Sequence, residues 1–386
     1  MKAVYITSVA AFLPNDPVNN EQMESLLGIA GEKPSRARRL ILKSNGIRSR
    51  HYAIDPATGT ATHTNAELTA QAIRKLAPPD STQAMDCLVC GTSLPDQLLP
   101  NHAVMVQGEL GGPACEVVAT SGVCLAGMTA LKYAWLSIAS GNHQHAVATG
   151  SELASAVMRG HFFAAEAQHL TETMAKQPEI AFEKDFLRWM LSDGAGAVRL
   201  QNQPANQGLS LKIEWLDIRS FANEMQTCMY AGAQKCENGS LQGWAATDPK
   251  DWLNHSVFAI KQDVKLLNEN IVHITVERFL PELITRHGLN ADDIDFFLPH
   301  YSSKFFRQAL YDGMKQSACE IPFEKWATNL TDKGNTGSAS IYIMLDELFH
   351  SGHLQAGQKI LCYVPESGRF SSAFMLLTVC QRDEAA

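Results

Sequence analysis

No stretch of this chain carries the roughly 18 to 20 uninterrupted apolar residues that a transmembrane helix requires. No run of lysine and arginine is dense enough to hold a phosphate backbone or an anionic membrane surface. The formal net charge of -8 points the same way, so neither nucleic acid nor membrane is expected as a partner. Cysteine occurs nine times, an odd number without regular spacing, which does not suit a disulfide framework and fits a reducing, cytoplasmic setting. A P-loop, a glycine-rich dinucleotide fingerprint and a Gly-x-Ser-x-Gly elbow are all missing. Cys87-Leu88-Val89-Cys90 has no second pair, and in a strand its two thiols point to opposite faces. His143-x-His145 and His350-x-x-His353 have no carboxylate or cysteine companions at ligand spacing, so no metal and no cofactor is expected.

What is present is ample for an enzyme. The 386 residues suggest two domains or two fused halves, divided here as 1–205 and 206–386, and a composition of 45% hydrophobic and 19% charged residues is that of a soluble α/β protein. Lys2 to Ala11 reads as a first strand rather than a signal peptide, because Thr7 and Ser8 interrupt its apolar run and Asn15-Asp16 follow without a cleavage pattern. Thr64-x-x-Glu67 is a capping box opening a helix from Ala66 to Leu76. Strands at Cys87 to Cys90, Glu116 to Ala119 and His145 to Thr149 alternate with helices after Pro100 and from Cys124 to Ser140, which is the pattern of α/β layering. The Cys124 to Ser140 helix has Lys132 as its one charged residue, so it should be buried on all sides and end at Gly141. A helical insertion is expected between Ala154 and Trp189, and a long helix from Trp252 to Leu283. Strands at Asp295 to Leu298, Lys359 to Val364 and Ser371 to Val379, with helices after Ser302 and Gly334, complete the second half.

Three residues stand at boundaries where chemistry is often sited. Cys124 lies at a strand-to-helix junction, where unpaired N–H groups and the helix dipole favour a thiolate, although a buried cysteine is as often a small core residue. His300 follows the apolar strand Phe296-Phe297-Leu298 after Pro299, at a strand end of the kind that binds ligands. Asn335, in Lys333-Gly334-Asn335-Thr336-Gly337, would by itself be a turn or cap residue. Together they supply a nucleophile, a base-capable imidazole and an amide donor, each at the start of a helix.

At this point the chain resembles the β-ketoacyl synthase III family of condensing enzymes, along its whole length. Ser44-Asn45-Gly46-Ile47-Arg48-Ser49-Arg50-His51 looks like that family's Thr-Gly-Ile-x-x-Arg segment, and Cys124 through Gly141 like its nucleophile helix. Ser192-Asp193-Gly194-Ala195-Gly196-Ala197 is similar to its Gly-Asp-Gly-Ala-Gly-Ala turn. Gly334-Asn335-Thr336-Gly337-Ser338-Ala339-Ser340 resembles its asparagine loop, and Glu366-Ser367-Gly368-Arg369-Phe370 stands at its C-terminal glycine loop. The resemblance implies a duplicated, five-layered α-β-α-β-α thiolase fold and a homodimer. It also implies that Cys124 takes up an acyl group, that the Cys124 and Gly368 N–H groups form the oxyanion hole, and that His300 and Asn335 hold the carbonyl of a second thioester while its enolate forms. Leu99 and Phe370 are implied as pocket residues, and Lys304 and Arg307 as contacts for an acyl carrier protein.

Departures from the family pattern point to specialisation. Leu40 and Ser44 stand where the housekeeping enzymes hold coenzyme A with tryptophan and arginine, so a carrier protein is an expected donor beside coenzyme A thioesters. Leu298-Pro299-His300-Tyr301-Ser302-Ser303 and Val364-Pro365-Glu366-Ser367-Gly368-Arg369-Phe370 resemble the ketosynthases that join two acyl chains toward dialkylresorcinols and cyclohexanediones. Two other functions stay open on sequence grounds. One is acyl transfer to an oxygen or nitrogen acceptor on the same fold, and the other is a non-catalytic partner subunit.

Overall fold

The computed structural model describes residues 2–30, 38–76, 85–169 and 186–381. Nine strands make up its main sheet: β1 Tyr5–Phe12, β2 Cys87–Thr92, β3 Glu116–Ser121, β4 Ala146–Glu152, β5 Gly194–Gln201, β6 Leu209–Ser220, β7 Phe296–Pro299, β8 Lys359–Glu366 and β9 Ser371–Gln381. Their order is β7-β8-β9-β6-β1-β5-β4-β2-β3. β2 runs parallel to β3 and β4, β7 runs parallel to β8, and the remaining pairs are antiparallel. The first five strands in sequence and the last four meet only where Tyr5 and Ile6 of β1 face Lys212 and Leu211 of β6. On either side of that seam the order repeats, β2-β4-β5-β1 answering β7-β8-β9-β6.

Seven helices complete the layers: α1 Asn65–Arg74, α2 His102–Leu110, α3 Ala126–Ser140, α4 Val264–Val272, α5 Leu280–His287, α6 Phe306–Gln316 and α7 Ser340–Phe349. α3 and α7 form the middle layer. Met128 and Leu131 of one, with Ile341 and Leu345 of the other, share a core with Cys87 and Val89 of β2 and with Ile360 and Cys362 of β8. The outer face of the first strand set is covered by α1 and α2, through Leu68, Ile73 and Val106 packed on Leu88 and Cys90. α4, α5 and α6 cover the other outer face, where Ile271, Leu283 and Leu310 share a core with Leu361 and Tyr363. The result is five layers, α-β-α-β-α. Strands such as β2 are buried on both faces, which is why they read as continuous apolar runs rather than alternating ones.

At the centre the two halves touch through glycine. Side chains at Gly127 and Gly150 would collide with the Ser338 carbonyl, and the Tyr342 hydroxyl donates to Gly127 O at 2.8 Å. The uncharged character of α3 follows from this position between two sheets. Gly141 ends the helix in the left-handed conformation (φ 84°), its N–H returning to Ile138 O at 3.0 Å. The Thr64–Glu67 capping box opens α1 as expected.

Two expectations need correction. No single helix runs from Trp252 to Leu283. Asp251–Asn254 makes one turn, Ser256 takes a positive φ of 43°, and Lys261–Gln262 pairs as a strand. Asp263 then caps α4 through Leu266 N–H at 3.0 Å, and a π-turn at His273–Glu277 separates α4 from α5. Of the expected insertion between 154 and 189, the described parts are short turns at Ala154–Ala156 and Gly160–Phe163 and the helix Ala164–His169, while 170–185 lie outside the described residues.

Candidate active site

β3 delivers the chain to Gly122 and Val123, and Cys124 sits in the turn just before α3 rather than within the helix. Its side chain is 8% exposed and lies in the walls of two cavities. One is a narrow apolar pocket of about 40 Å³ between Cys124 and His300, closed by Leu267, Ile271, Phe306 and Tyr363. The other, of about 300 Å³, runs from Cys124 past Asn335 and Glu152 to Met229 and Ile260. A third recess of about 10 Å³ places His300 beside Gly334 and Ser340, which bracket the Asn335 loop. The thiol, the imidazole and the amide, 176 and 211 positions apart in sequence from Cys124 respectively, are thus brought round one point.

Each is held by backbone. His300 ends β7, and its N–H donates to Tyr363 O on the neighbouring strand at 2.8 Å. Burial drives its pKa down to about 4, so the imidazole is neutral at pH 7. Asn335 bridges to the first half, its N–H donating to Met190 O and its carbonyl accepting from Ser192 N–H, both at 2.9 Å. Its Oδ1 accepts from Gly337 N–H at 2.9 Å, which leaves the NH₂ group as a donor.

The electrostatics at Cys124 work against the thiolate that the helix terminus favours. Burial raises the thiol pKa far above its usual value, and two carboxyls, Glu152 and Glu366, add to the rise. Both effects favour the thiol over the thiolate. Glu152 ends β4, and its Oε1 accepts from the Ser93 hydroxyl at 2.5 Å and from Ser338 N–H at 3.1 Å; burial lifts its pKa to about 7. Glu366 ends β8, and its Oε2 accepts from Val123 N–H at 3.2 Å, so one carboxyl on the Gly368 loop grips the turn that carries Cys124. Burial raises its pKa too. Neither acid was singled out from sequence. The available signal for Glu152 was a lone charge closing the otherwise uncharged run Ala146 to Ser151.

The remaining site expectations divide. Gly368 lies against Val123, where an added Cβ would come within 3.3 Å of Val123 Cγ2, and its carbonyl accepts from Cys228 N–H at 2.8 Å. Phe370 is fully buried in the core under α5 with a positive φ of 60° and lines neither cavity at Cys124. Leu99 is 86% exposed on the loop before α2, so it is not a wall of a cavity within this chain. Lys304 is exposed, its stem packed on Gly46, and Arg307 stacks over Phe323 at 3.9 Å; both flank Tyr301, Ser302 and Phe306, which do line the apolar pocket. Among the first-half expectations, the two cysteines of the Cys87-x-x-Cys90 motif do face opposite sides of β2.

Comparison with known proteins places this arrangement. Residues 40–205 match the family model described as β-ketoacyl synthase, N-terminal domain, and residues 284–376 match that of 3-oxoacyl-[acyl-carrier-protein] synthase III, C terminal. The chain belongs to the β-ketoacyl-ACP synthase III family. Its five-layered architecture is the thiolase fold, and as a member of this family it is an acyltransferase of the condensing type. The β-ketoacyl-[acyl-carrier-protein] synthase III of Xanthomonas oryzae is 24% identical over 93% of this chain and 94% of its own. Among solved structures, a tetronic acid condensing enzyme, AbyA1, superposes with a TM-score of 0.73 at 19% identity, covering 97% of this chain and 99% of that one. OleA of Xanthomonas campestris, solved with bound lauric acid and lauroyl-CoA, gives a TM-score of 0.73 at 17% identity, with 98% and 99% covered. The family's N-terminal model includes Cys124, and its C-terminal model includes His300, Asn335 and Gly368.

Proposed function

We propose that this chain joins two thioester-bound acyl units by a Claisen-type condensation in specialised metabolism, with Cys124 as nucleophile and His300 and Asn335 as the groups that hold the second substrate. The observation that carries this reading is the meeting of two cavities at one buried thiol, one walled by His300 and the other by Asn335. A single acyl transfer to water or an alcohol needs one acyl pocket; a condensation needs a place for each partner.

In the first half-reaction the Cys124 sulfur attacks the donor carbonyl, and the neutral His300 imidazole is placed to take the thiol proton and pass it to the leaving thiol. The C–S bond to the carrier breaks as the bond to Cys124 forms. The N–H groups of Cys124 and Gly368 receive the oxyanion. In the second, the enolate of an acceptor thioester forms by loss of CO₂, or of an α-proton to solvent, with His300 and the Asn335 NH₂ group donating to its oxygen. The carbanion attacks the acyl carbon, and the Cys124 sulfur leaves and is reprotonated. A neutral His300, with one N–H to give, suits this duty better than a charged one, since its state does not change across the working pH range.

The donor is an acyl carrier protein thioester or a coenzyme A thioester, and exposed Leu40 on the helix Arg38–Asn45 favours the carrier, since it offers no stacking or charged grip on a nucleotide. Lys304 and Arg307 are proposed to receive the acidic carrier beside the apolar pocket. The unit is proposed to be a cytoplasmic homodimer whose halves are 1–205 and 206–386, and its sequence pattern favours the dialkylresorcinol and cyclohexanedione branch. AbyA1 and OleA, whose folds it shares, are consistent with that setting. The test is intact-protein mass measurement after incubation with a panel of carrier and coenzyme A thioesters. A mass gain absent from Cys124→Ala identifies the nucleophile and the donor, and no gain from any thioester in folded protein overturns the reading.

A further inference from the structure

The second singular feature of this molecule lies at the other end of α3. Cys87 and Glu116 are the first residues of β2 and β3, and because these strands are parallel with Cys87 opposite Glu116, both side chains emerge on the face that carries α3. His143 follows the Gly141 cap of the same helix. Sequence spacing, with 29 residues from Cys87 to Glu116 and 27 more to His143, gave the histidine no companions; the fold supplies them.

We propose that Cys87, Glu116 and His143 form a binding site for one divalent ion of the zinc type, at the C-terminal end of the helix whose other end carries Cys124. Sγ, a carboxylate oxygen and a ring nitrogen lie within 4.8 Å of one another, and His143 Nε2 stands 3.6 Å from Glu116 Oε2. Tetrahedral zinc with sulfur, nitrogen and oxygen donors at its usual bond lengths needs those atoms roughly 3.3 to 3.6 Å apart, a small inward adjustment.

The neighbours orient the ligands for this purpose. Ser137 Oγ engages His143 Nδ1 at 2.5 Å, which leaves Nε2 for the ion, and the Tyr133 hydroxyl engages Glu116 Oε1, which leaves Oε2 facing the histidine. Such outer contacts are what fix the tautomer and direction of metal ligands. Both Ser137 and Tyr133 belong to α3.

The field also favours a cation. The charged groups that act on the Cys87 thiol are acidic, Glu116 and Asp86 foremost, and the one ion-pair partner of Glu116 among the described residues is His143 itself. Asp86 is already committed, accepting from Gln144 and His145 N–H at 2.7 and 3.0 Å. The negative end of the α3 dipole points the same way, and Lys2, whose Nζ lies near Gly141, is the other cation drawn there. Three protein ligands with a thiolate among them suit zinc or cobalt rather than magnesium or calcium, and leave a fourth position for water. Binding replaces the thiol proton of Cys87, which is released to solvent, so affinity rises with pH. The ion would clamp the sheet edge to the end of α3, far from the reacting thiol.

The test uses full-length Cys124→Ala protein, which removes the active-site thiol, stripped with chelator and titrated with Co²⁺. One equivalent is expected to give a sulfur-to-cobalt charge-transfer band with the intense visible bands of four-coordinate cobalt, and one equivalent of Zn²⁺ to abolish them. Cys87→Ser should lose the charge-transfer band and His143→Ala should weaken binding at least tenfold; His143, in the loop after α3, gives a readout even where the Cys87 variant folds poorly. Zn²⁺ should also raise the melting temperature by a few degrees in the parent and not in His143→Ala. Absence of the band, or a band that survives in Cys87→Ser because the exposed Cys236 carries it, overturns the proposal.

Discussion

Replacing Glu366 by glutamine should make Cys124 more reactive. Glu366 holds Val123 N–H through Oε2, and an amide oxygen can accept the same bond, so the turn should keep its shape while the charge is lost. Two unit charges about 5 Å apart in an effective dielectric of about 20 repel by about 3 kcal/mol, or about 2 pK units, which sets the upper limit for removing this charge. Burial raises the pKa of Glu366 itself, so its charge is incomplete and the effect falls below that limit. At pH 8 the thiolate fraction, and with it the alkylation rate, should rise about tenfold. The assay is the rate of Cys124 alkylation by iodoacetamide and by the bulkier N-ethylmaleimide, monitored by mass. A change in ionisation multiplies both rates equally, whereas a change in access does not. Equal rates in wild type and Glu366→Gln, in protein of unchanged circular dichroism, would refute the reasoning.

Glu152 sets a second pH effect. Its native pKa of about 7 stands above its ordinary value of 4.5, so the native state binds more protons than the unfolded chain between those limits. Its contribution to stability is complete below pH 4.5 and is lost as pH rises through about 7, a change of about 3 kcal/mol. Glu152→Gln should flatten the melting temperature between pH 5 and 8 by an amount of that order. His300→Ala should slow the acylation of Cys124, for which it is the base, and also fall by about a hundredfold or more in condensation, read by product formation against intact mass. The condensation rate of the wild type should show no inflection near the usual histidine value of 6.5, because burial holds His300 near 4. Gly150→Ala should destabilise the protein by about 3 kcal/mol or more in denaturant titration, since the new methyl meets the Ser338 carbonyl with no room to shift.

Local chemistry made much of this architecture readable. The capping box at Thr64, the glycine stop at Gly141 and the uncharged length of α3 are signals within one element, and each is realised. Cys124, His300 and Asn335 were singled out because each stands at an element boundary. What escaped depends on distant pairing. One long helix was expected from Trp252 to Leu283, but the chain turns at Ser256 to form a strand before Asp263 starts α4. The Asn238-Gly239 hairpin signal went unread between two strands of three residues each. The acids beside Cys124 escaped notice because a helix terminus can be seen in sequence, whereas Glu152 and Glu366 come from strands 28 and 242 residues further on. Leu99 was implied as a pocket residue by the family resemblance, and its exposure is a property of the folded loop.

The seam between the strand sets has a consequence for how this molecule comes apart. Two residue pairs, Tyr5 with Lys212 and Ile6 with Leu211, join the sheet across it, too short a ladder to transmit order from one half to the other. The transmission runs instead through α3 and α7, where Ser338 abuts Gly127 and Gly150 and Tyr342 reaches the Gly127 carbonyl. Melting either half removes the packing partner of the other's central helix. Unfolding of one strand set while the other persists is thereby disfavoured, and both should be lost in one transition.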